Sequence, residues 1–324
     1  MTPRITCLAV PTPFRIGPVN CWLIEGDALT IVDVGPNDPA SLAALERLLA
    51  ENGYRIEDLD LILLTHQHYD HLGLTDTVRE RSGAQVVTHE DLAPFLRGGA
   101  TSSEAEDQFA EQVMELHGVN SASIAELRAA SEARWKFGCA CTVDRTLADG
   151  ENLDLGGIVL RTHHRPGHSP TDTIFVDETT GRAFVGDHLL GTISANPILH
   201  RPVHGPADAV NRPRTLARFL ESMDRSAALG LTEALTGHRD TVSDVVGLVE
   251  RRHRETEERK EQIFAATAAG SCSAFAIVRV LWPRLPVDQV YLGICEVLGH
   301  LDLLVADGRL EELTEQGRVR IARC

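Results

Sequence analysis

Four residues within six positions, His66, His68, Asp70 and His71, are the strongest chemical signal in the chain. Imidazole nitrogens and carboxylate oxygens are the donors that bind zinc and similar divalent cations. The H-x-H-x-D-H spacing gives them a geometry. Residues two apart at a strand end or in a tight loop project to the same side, so His66 and His68 can share one ion. Asp70 and His71, as the chain turns into the next helix, reach a second. Four ligands do not complete two ions. Later strand ends supply three more candidates: His168 in the Pro-Gly-His-Ser-Pro run, Asp187 in Val-Gly-Asp-His and His238 in Thr-Gly-His-Arg. Each follows a strand and a glycine, and the two oxygens of Asp187 suit it to bridge two cations.

The elements that must position these groups alternate along the chain. Apolar, β-branched runs at 5–10, 19–26 and 29–35 read as a strand meander. The stretch 38–53 has helical spacing, with Pro39 near its start and Gly53 past its end. The run 59–65 is almost continuously apolar, a strand covered on both faces, and it ends where the histidines begin. Residues 103–137 read as a helical insertion, which places the insert at about 100–137, the sort of element that covers a site. Strands are predicted at 158–164, 172–178, 182–190 and 231–237, and a helix at 207–223. The interleaved charges from 242 onward suit a solvated helix linking two bodies. Two apolar-periodic helices and a terminal hairpin then form a second unit, expected from residue 251 to 324.

His66, His68, Asp70, His71, His168, Asp187 and His238 together resemble the metallo-β-lactamase superfamily, over about residues 1–250. The resemblance implies an α+β, four-layer αβ/βα sandwich. It implies one ion held by His66, His68 and His168, a second by Asp70, His71 and His238, and Asp187 shared between them. The ligand set is similar to that of glyoxalase II-type hydrolases. The tail resembles the winged-helix-like domain of one branch that includes thioesterases and endoribonucleases. Arg165 departs from the small polar residue that many relatives carry before Pro-Gly.

Two divalent cations, zinc by preference and manganese or iron as alternatives, lower the pKa of a shared water from about 15.7 towards ~7. Asp70 is expected to orient that water or pass its proton to the leaving group, and so to be the catalytic residue. Tyr69, Trp135, His188 and Asn196 are candidate substrate contacts, with Phe137 beside Trp135. Asp33, ending an apolar strand, is a candidate acceptor for a ligand imidazole. His164 is a further candidate partner of a carboxylate. His89, His117, His253 and His300 read as surface or helix residues. Cys7, Cys21, Cys272 and Cys295 read as small core residues, and Cys139 and Cys141 as thiols beside a strand start.

The expected function is a cytoplasmic metal-dependent hydrolase acting on a small-molecule acyl compound, a thioester, ester or lactone. Alternatives are an endoribonuclease or phosphodiesterase, and a nucleic-acid-binding or ligand-sensing regulator. A formal charge of −16 repels polyanions and anionic membranes. Residues 287–307 carry no Arg or Lys, which favours packing or homodimer formation over nucleic-acid binding. No run approaches the ~18 consecutive apolar residues of a membrane span, and the first residues lack a signal peptide's order. Seven scattered cysteines in a chain of this length favour reduced thiols.

Overall fold

The computed structural model describes residues 3–268 and 270–324. Thirteen strands and ten α-helices are present among them. The first sheet has the order β1 (Arg4–Val10), β2 (Val19–Glu25), β3 (Leu29–Val32), β4 (Leu61–Leu64), β5 (Gln85–His89) and β6 (Arg145–Leu147). Its first three strands pair antiparallel and the rest parallel. The second sheet comprises β7 (Asn152–Asp154), β8 (Val159–His164), β9 (Thr173–Asp177), β10 (Arg182–Gly186) and β11 (Glu233–Thr236), with β11 at one edge and β7 at the other.

Side-chain alternation explains how the sheets stack. Trp22, Ile24, Leu61 and Leu63 face Leu160, Phe175, Phe184 and Leu235 between the two sheets. The alternate residues Cys21, Leu23, Ile62 and Leu64 turn outward and are covered by α1 (Pro39–Glu51) and α3 (Thr75–Ser82). On the far side Ile174, Val176 and Val185 pack under α7 (Thr215–Ala227) and α8 (Val245–Ala266). A continuously apolar strand such as β4 is therefore a strand with two covered faces. The layers run helix, sheet, sheet, helix, as the α+β sandwich requires.

Past the short helix α2 (Tyr69–Leu72), α3 and β5, the chain enters the insertion through α4 (Ala93–Gly98), and the insertion forms α5 (Ala100–Leu116) and α6 (Ser121–Glu132). The C-terminal segment forms α9 (Ala274–Leu281), α10 (Val290–Ala306) and the hairpin β12 (Leu310–Glu315) and β13 (Arg318–Arg323). The hairpin turns at Gln316 and Gly317, both at positive φ, as a two-residue loop demands. Phe109, Val113 and Met114 of the insertion share one core with Ile277, Ile294 and Leu298 of the C-terminal helices. The segment Val287–Ala306 is long and apolar enough to cross a membrane, but it is the buried spine of this core.

Two sequence expectations are corrected, and two strands are unexpected. The helix expected at 207–223 begins only at Thr215, because Pro213 removes a donor and forces the preceding residue out of helical geometry. The strands β6 and β7 have three residues each, too few to show a period. α8 continues unbroken across residues 250 and 251 and is solvated on one face only: Glu250, Arg254 and Glu258 are exposed, while Leu248, Val249 and Ile263 are buried, with Arg252 capping the carbonyls of Leu190 and Ile193 at 2.8 and 2.7 Å.

Arg212 fixes the 191–214 segment to α10 by a bidentate pair with Asp302, at 2.7 and 2.8 Å, with both side chains under a tenth exposed. Removing one partner leaves the other charge buried. Asp302→Ala is therefore expected to lower unfolding free energy by about 3–5 kcal/mol in a denaturant melt.

Candidate metal centre

The centre forms where strand ends from both sheets meet. β4 ends at Leu64, and the chain runs through Thr65 into His66 and His68 before α2 carries Asp70 and His71. His168 follows β8, Asp187 follows β10 and His238 follows β11. The loop carrying His238 is pinned across the sandwich, with the Thr236 carbonyl accepting from Asn20 Nδ2 and Trp22 Nε1, each at 3.1 Å.

All seven expected ligands converge. His66 Nε2 and His168 Nε2 lie 3.1 and 3.0 Å from His68 Nδ1. Asp70 Oδ2 lies 3.3 Å from His238 Nε2. Asp187 stands between the groups: one oxygen is 3.4 Å from His71 Nε2, and the other is 3.7 Å from His168 Nε2 and 3.6 Å from His238 Nε2. Donor clusters His66–His68–His168, His66–His71–Asp187 and Asp70–His71–His238 are each compact enough for one ion.

The outer nitrogens of four imidazoles are tied down, which aims the inner ones. His66 Nδ1 bonds Thr65 Oγ1 at 3.0 Å, His71 Nδ1 bonds Asp33 Oδ2 at 2.7 Å, His168 Nδ1 bonds the Asn196 carbonyl at 2.8 Å and His238 Nδ1 bonds the Pro18 carbonyl at 2.7 Å. Such partners fix the tautomer and direct the free lone pair inward. His71 Nε2, His238 Nε2 and Asp187 Oδ1 are buried and lack any hydrogen-bond partner. Buried polar atoms are almost always paired, so three orphans facing one another fit a site built for cations. Among the described residues a second cluster, His89–Asp91–His164, differs here. Its His164 Nε2 already bonds the Pro170 carbonyl at 2.9 Å, and His89 Nδ1 accepts from the Asp91 amide at 3.2 Å.

The electrostatics agree. Burial, reinforced by neighbouring imidazoles, holds His66 and His68 well below the usual histidine range, hence neutral and able to donate lone pairs. Burial also opposes a charged His71, but Asp187 and Asp33 outweigh it and raise its pKa. Burial works against ionised Asp187 too, and the charges of His238 and His71 overcome it and hold the carboxyl below its ordinary range. Neutral imidazoles beside an ionised carboxylate are the protonation states in which these groups bind dications.

The remaining site expectations divide. Asp33 accepts from His71 and from Thr65 N and Oγ1, at 2.9 and 2.8 Å for the latter pair. Tyr69 and Trp135 line the cavity beside the centre, with their polar atoms spent on Ser103 (2.8 Å) and Asp107 (3.1 Å). His188 is corrected: it is buried behind the second sheet, its Nε2 2.9 Å from Ser226 Oγ and its ring edge-on to Phe219. The alternation that sends Asp187 inward sends its neighbour outward, and burial drops its pKa to about 3. Asn196 is also corrected, since its side chain bonds the Leu292 carbonyl at 3.1 Å and only its main-chain oxygen serves the site, through His168. Phe137 packs against Phe14. His89 and His117 are buried, the first at a strand end, and Cys7 is exposed. Gly167 is required by close approach of α7, since a Cβ there would meet Phe219 Cα at 2.4 Å.

His200 and Glu106 escaped the sequence reading. His200 Nε2 is 3.3 Å from His68 Nε2, and its Nδ1 is 3.1 Å from Glu106 on α5. No glycine-flanked strand end precedes His200, so nothing local marks it.

Packing at the centre leaves no room beside Gly237, where a Cβ would lie 2.5 Å from Asp187 Oδ1 and 2.7 Å from His71 Cε1. Gly237→Ala, which removes no ligand, is expected to weaken metal binding at least tenfold in a metal-buffered titration. Unchanged affinity would mean that Asp187 and His71 need not hold these positions.

Residues 15–235 match the metallo-beta-lactamase superfamily. Over 320 residues, 98% of this chain and 97% of the other, the chain is 28% identical to a Bacillus subtilis (strain 168) protein described as probable metallo-hydrolase YqjP. It is 26% identical over 190 residues, 59% of this chain and 53% of the other, to a hydroxyacylglutathione hydrolase of Methylobacterium sp. (strain 4-46). Among solved structures, a metallo-beta-lactamase family protein from Thermus thermophilus superposes with a TM-score of 0.81 at 30% identity, covering 99% of this chain and 98% of that one. Geometry and sequence agree, and the chain belongs to the metallo-beta-lactamase superfamily.

Proposed function

We propose that this metal-dependent hydrolase holds two divalent cations, zinc by preference, and cleaves a small-molecule thioester, ester or lactone. His66, His68 and His168 would hold one ion, Asp70, His71 and His238 the other, and Asp187 would touch both. Such a pair supplies an acidified water at neutral pH and a positive charge against the acyl oxygen. The chain's own groups do the rest. Asp70 faces the cavity with a second carboxylate oxygen that can take the proton of the attacking water and return it to the leaving group. Tyr69, held by Ser103, and Trp135, held by Asp107, form rigid walls.

The observation that carries this reading is the trio of orphaned donor atoms around Asp187. The likeness to a hydroxyacylglutathione hydrolase supports acyl chemistry. The overall charge of −16 disfavours RNA as the substrate. A panel of thioesters, esters, lactones and short RNAs, assayed beside metal analysis by mass spectrometry, tests it. Acyl cleavage that tracks metal content is expected. Cleavage of RNA alone would replace the acyl reading with the endoribonuclease one.

A further inference from the structure

The metal centre opens into a cavity of about 730 Å³, large for the reacting atoms alone. One wall is a single face of α5. Ser103, Glu106, Asp107, Ala110, Glu111 and Met114 all line the cavity, at helical spacing over three turns. The near end is fixed, because Ser103 bonds Tyr69, which lies between the metal ligands. From Ser103 to Met114 at 1.5 Å per residue, the groove extends about 16 Å from the centre. An extended chain advances roughly 1.2 Å per backbone bond, so a linear group of about thirteen carbons spans it.

Apolar lining also comes from elsewhere in the sequence: Phe95, Ile198, Leu199, and Tyr291 and Leu292 of the C-terminal helix. The groove is thus built jointly by the insertion and the C-terminal segment. Its lining carboxylates, Glu106, Asp107, Glu111 and Asp288, outnumber its arginines and disfavour an anion. Of the two lining arginines, Arg128 is ringed by Glu104, Asp107, Glu111 and Glu132, and Arg134 is 3.8 Å from Asp288. Glu106 faces the cavity as well, already engaged by His200 and Arg201.

We propose that this groove receives an uncharged, linear acyl chain of about thirteen carbons, so that the preferred substrates are acyl compounds with chains of about that length and not carboxylate-bearing ones. The proposal rests on the acyl-hydrolase reading above and specifies its substrate. The electron and proton balance is that of ordinary hydrolysis: water adds to the acyl carbon, the bond to sulfur or oxygen breaks, and the leaving group takes up the proton.

The test has two arms. In the first, N-acetylcysteamine thioesters from acetyl to hexadecanoyl are assayed with the metal-loaded enzyme. kcat/KM is expected to rise up to about fourfold per methylene until about thirteen carbons, the gain from burying each group. Ala110→Phe, which blocks the groove midway, should cut the decanoyl-to-butanoyl ratio at least tenfold. A series that is flat or falls from acetyl onward, or a ratio unmoved by Ala110→Phe, overturns the proposal. In the second arm, decanamide is titrated calorimetrically into metal-stripped protein. Binding that Ala110→Phe weakens supports the groove even if no thioester is cleaved, in which case it is the acyl-hydrolase reading that fails. No binding by the wild-type chain, with short thioesters still cleaved, overturns the groove and leaves the hydrolase reading standing.

Discussion

Asp187→Ala is expected to abolish turnover while the chain stays folded. The carboxylate lies within 3.4–3.7 Å of nitrogens from three histidines, His71, His168 and His238. It is the one ligand that the proposed function places on both ions. Losing an outer partner of a ligand costs about 10–100-fold in affinity or activity, and losing a shared ligand must exceed that. Metal content should fall towards zero and kcat/KM by more than ~100-fold. The fold should survive, because Asp187 bonds no backbone group in the core and its removal relieves mutual repulsion with Asp70. Mass spectrometry for metal, circular dichroism for folding and an acyl-hydrolysis assay check the three parts. Full activity in this variant would contradict the shared position.

Asp33→Asn has the second largest expected effect, and it acts without touching an ion. Asp33 adopts φ 58°, a left-handed conformation that Asn tolerates nearly as well as Asp, so the backbone is spared. One oxygen receives Thr65 N–H and the other receives both Thr65 Oγ1–H and His71 Nδ1–H. An amide can keep the first bond, but it presents N–H groups to His71. The imidazole must then give up its Nδ1 proton, and the alternative tautomer carries a proton on Nε2, the atom that should hold metal. Metal affinity is expected to fall about 10–100-fold. Cobalt absorbance during a buffered titration measures it, and an unchanged midpoint would mean that packing alone orients His71.

The centre was legible in the sequence for a physical reason. Each ligand motif follows a strand, whose end is a rigid place, and only Asp70 and His71 are carried beyond it onto α2. The sharp turns into His168, Asp187 and His238 also announce themselves through glycine. Asp33 could be read from its place at the end of an apolar run. The strand period of two points His188 away from the site, whereas Asn196 could not be read, because its direction depends on how the chain turns after the strand and on what α10 places beside it. The groove was invisible altogether. Its walls come from residues such as Met114, Ile198 and Tyr291, which are ordinary apolar positions until distant helices meet. Nor could the shared core of insertion and C-terminal helices be read, since apolar periodicity shows that a face is covered without showing by what.

Seven donors forming a two-ion centre carry the proposed chemistry. Metal-stripped protein should therefore be inactive, and titration with zinc should restore acyl hydrolysis with an end point of two ions per chain. Undiminished turnover in the stripped protein, or full turnover at a stoichiometry of one with no second ion bound, would contradict it.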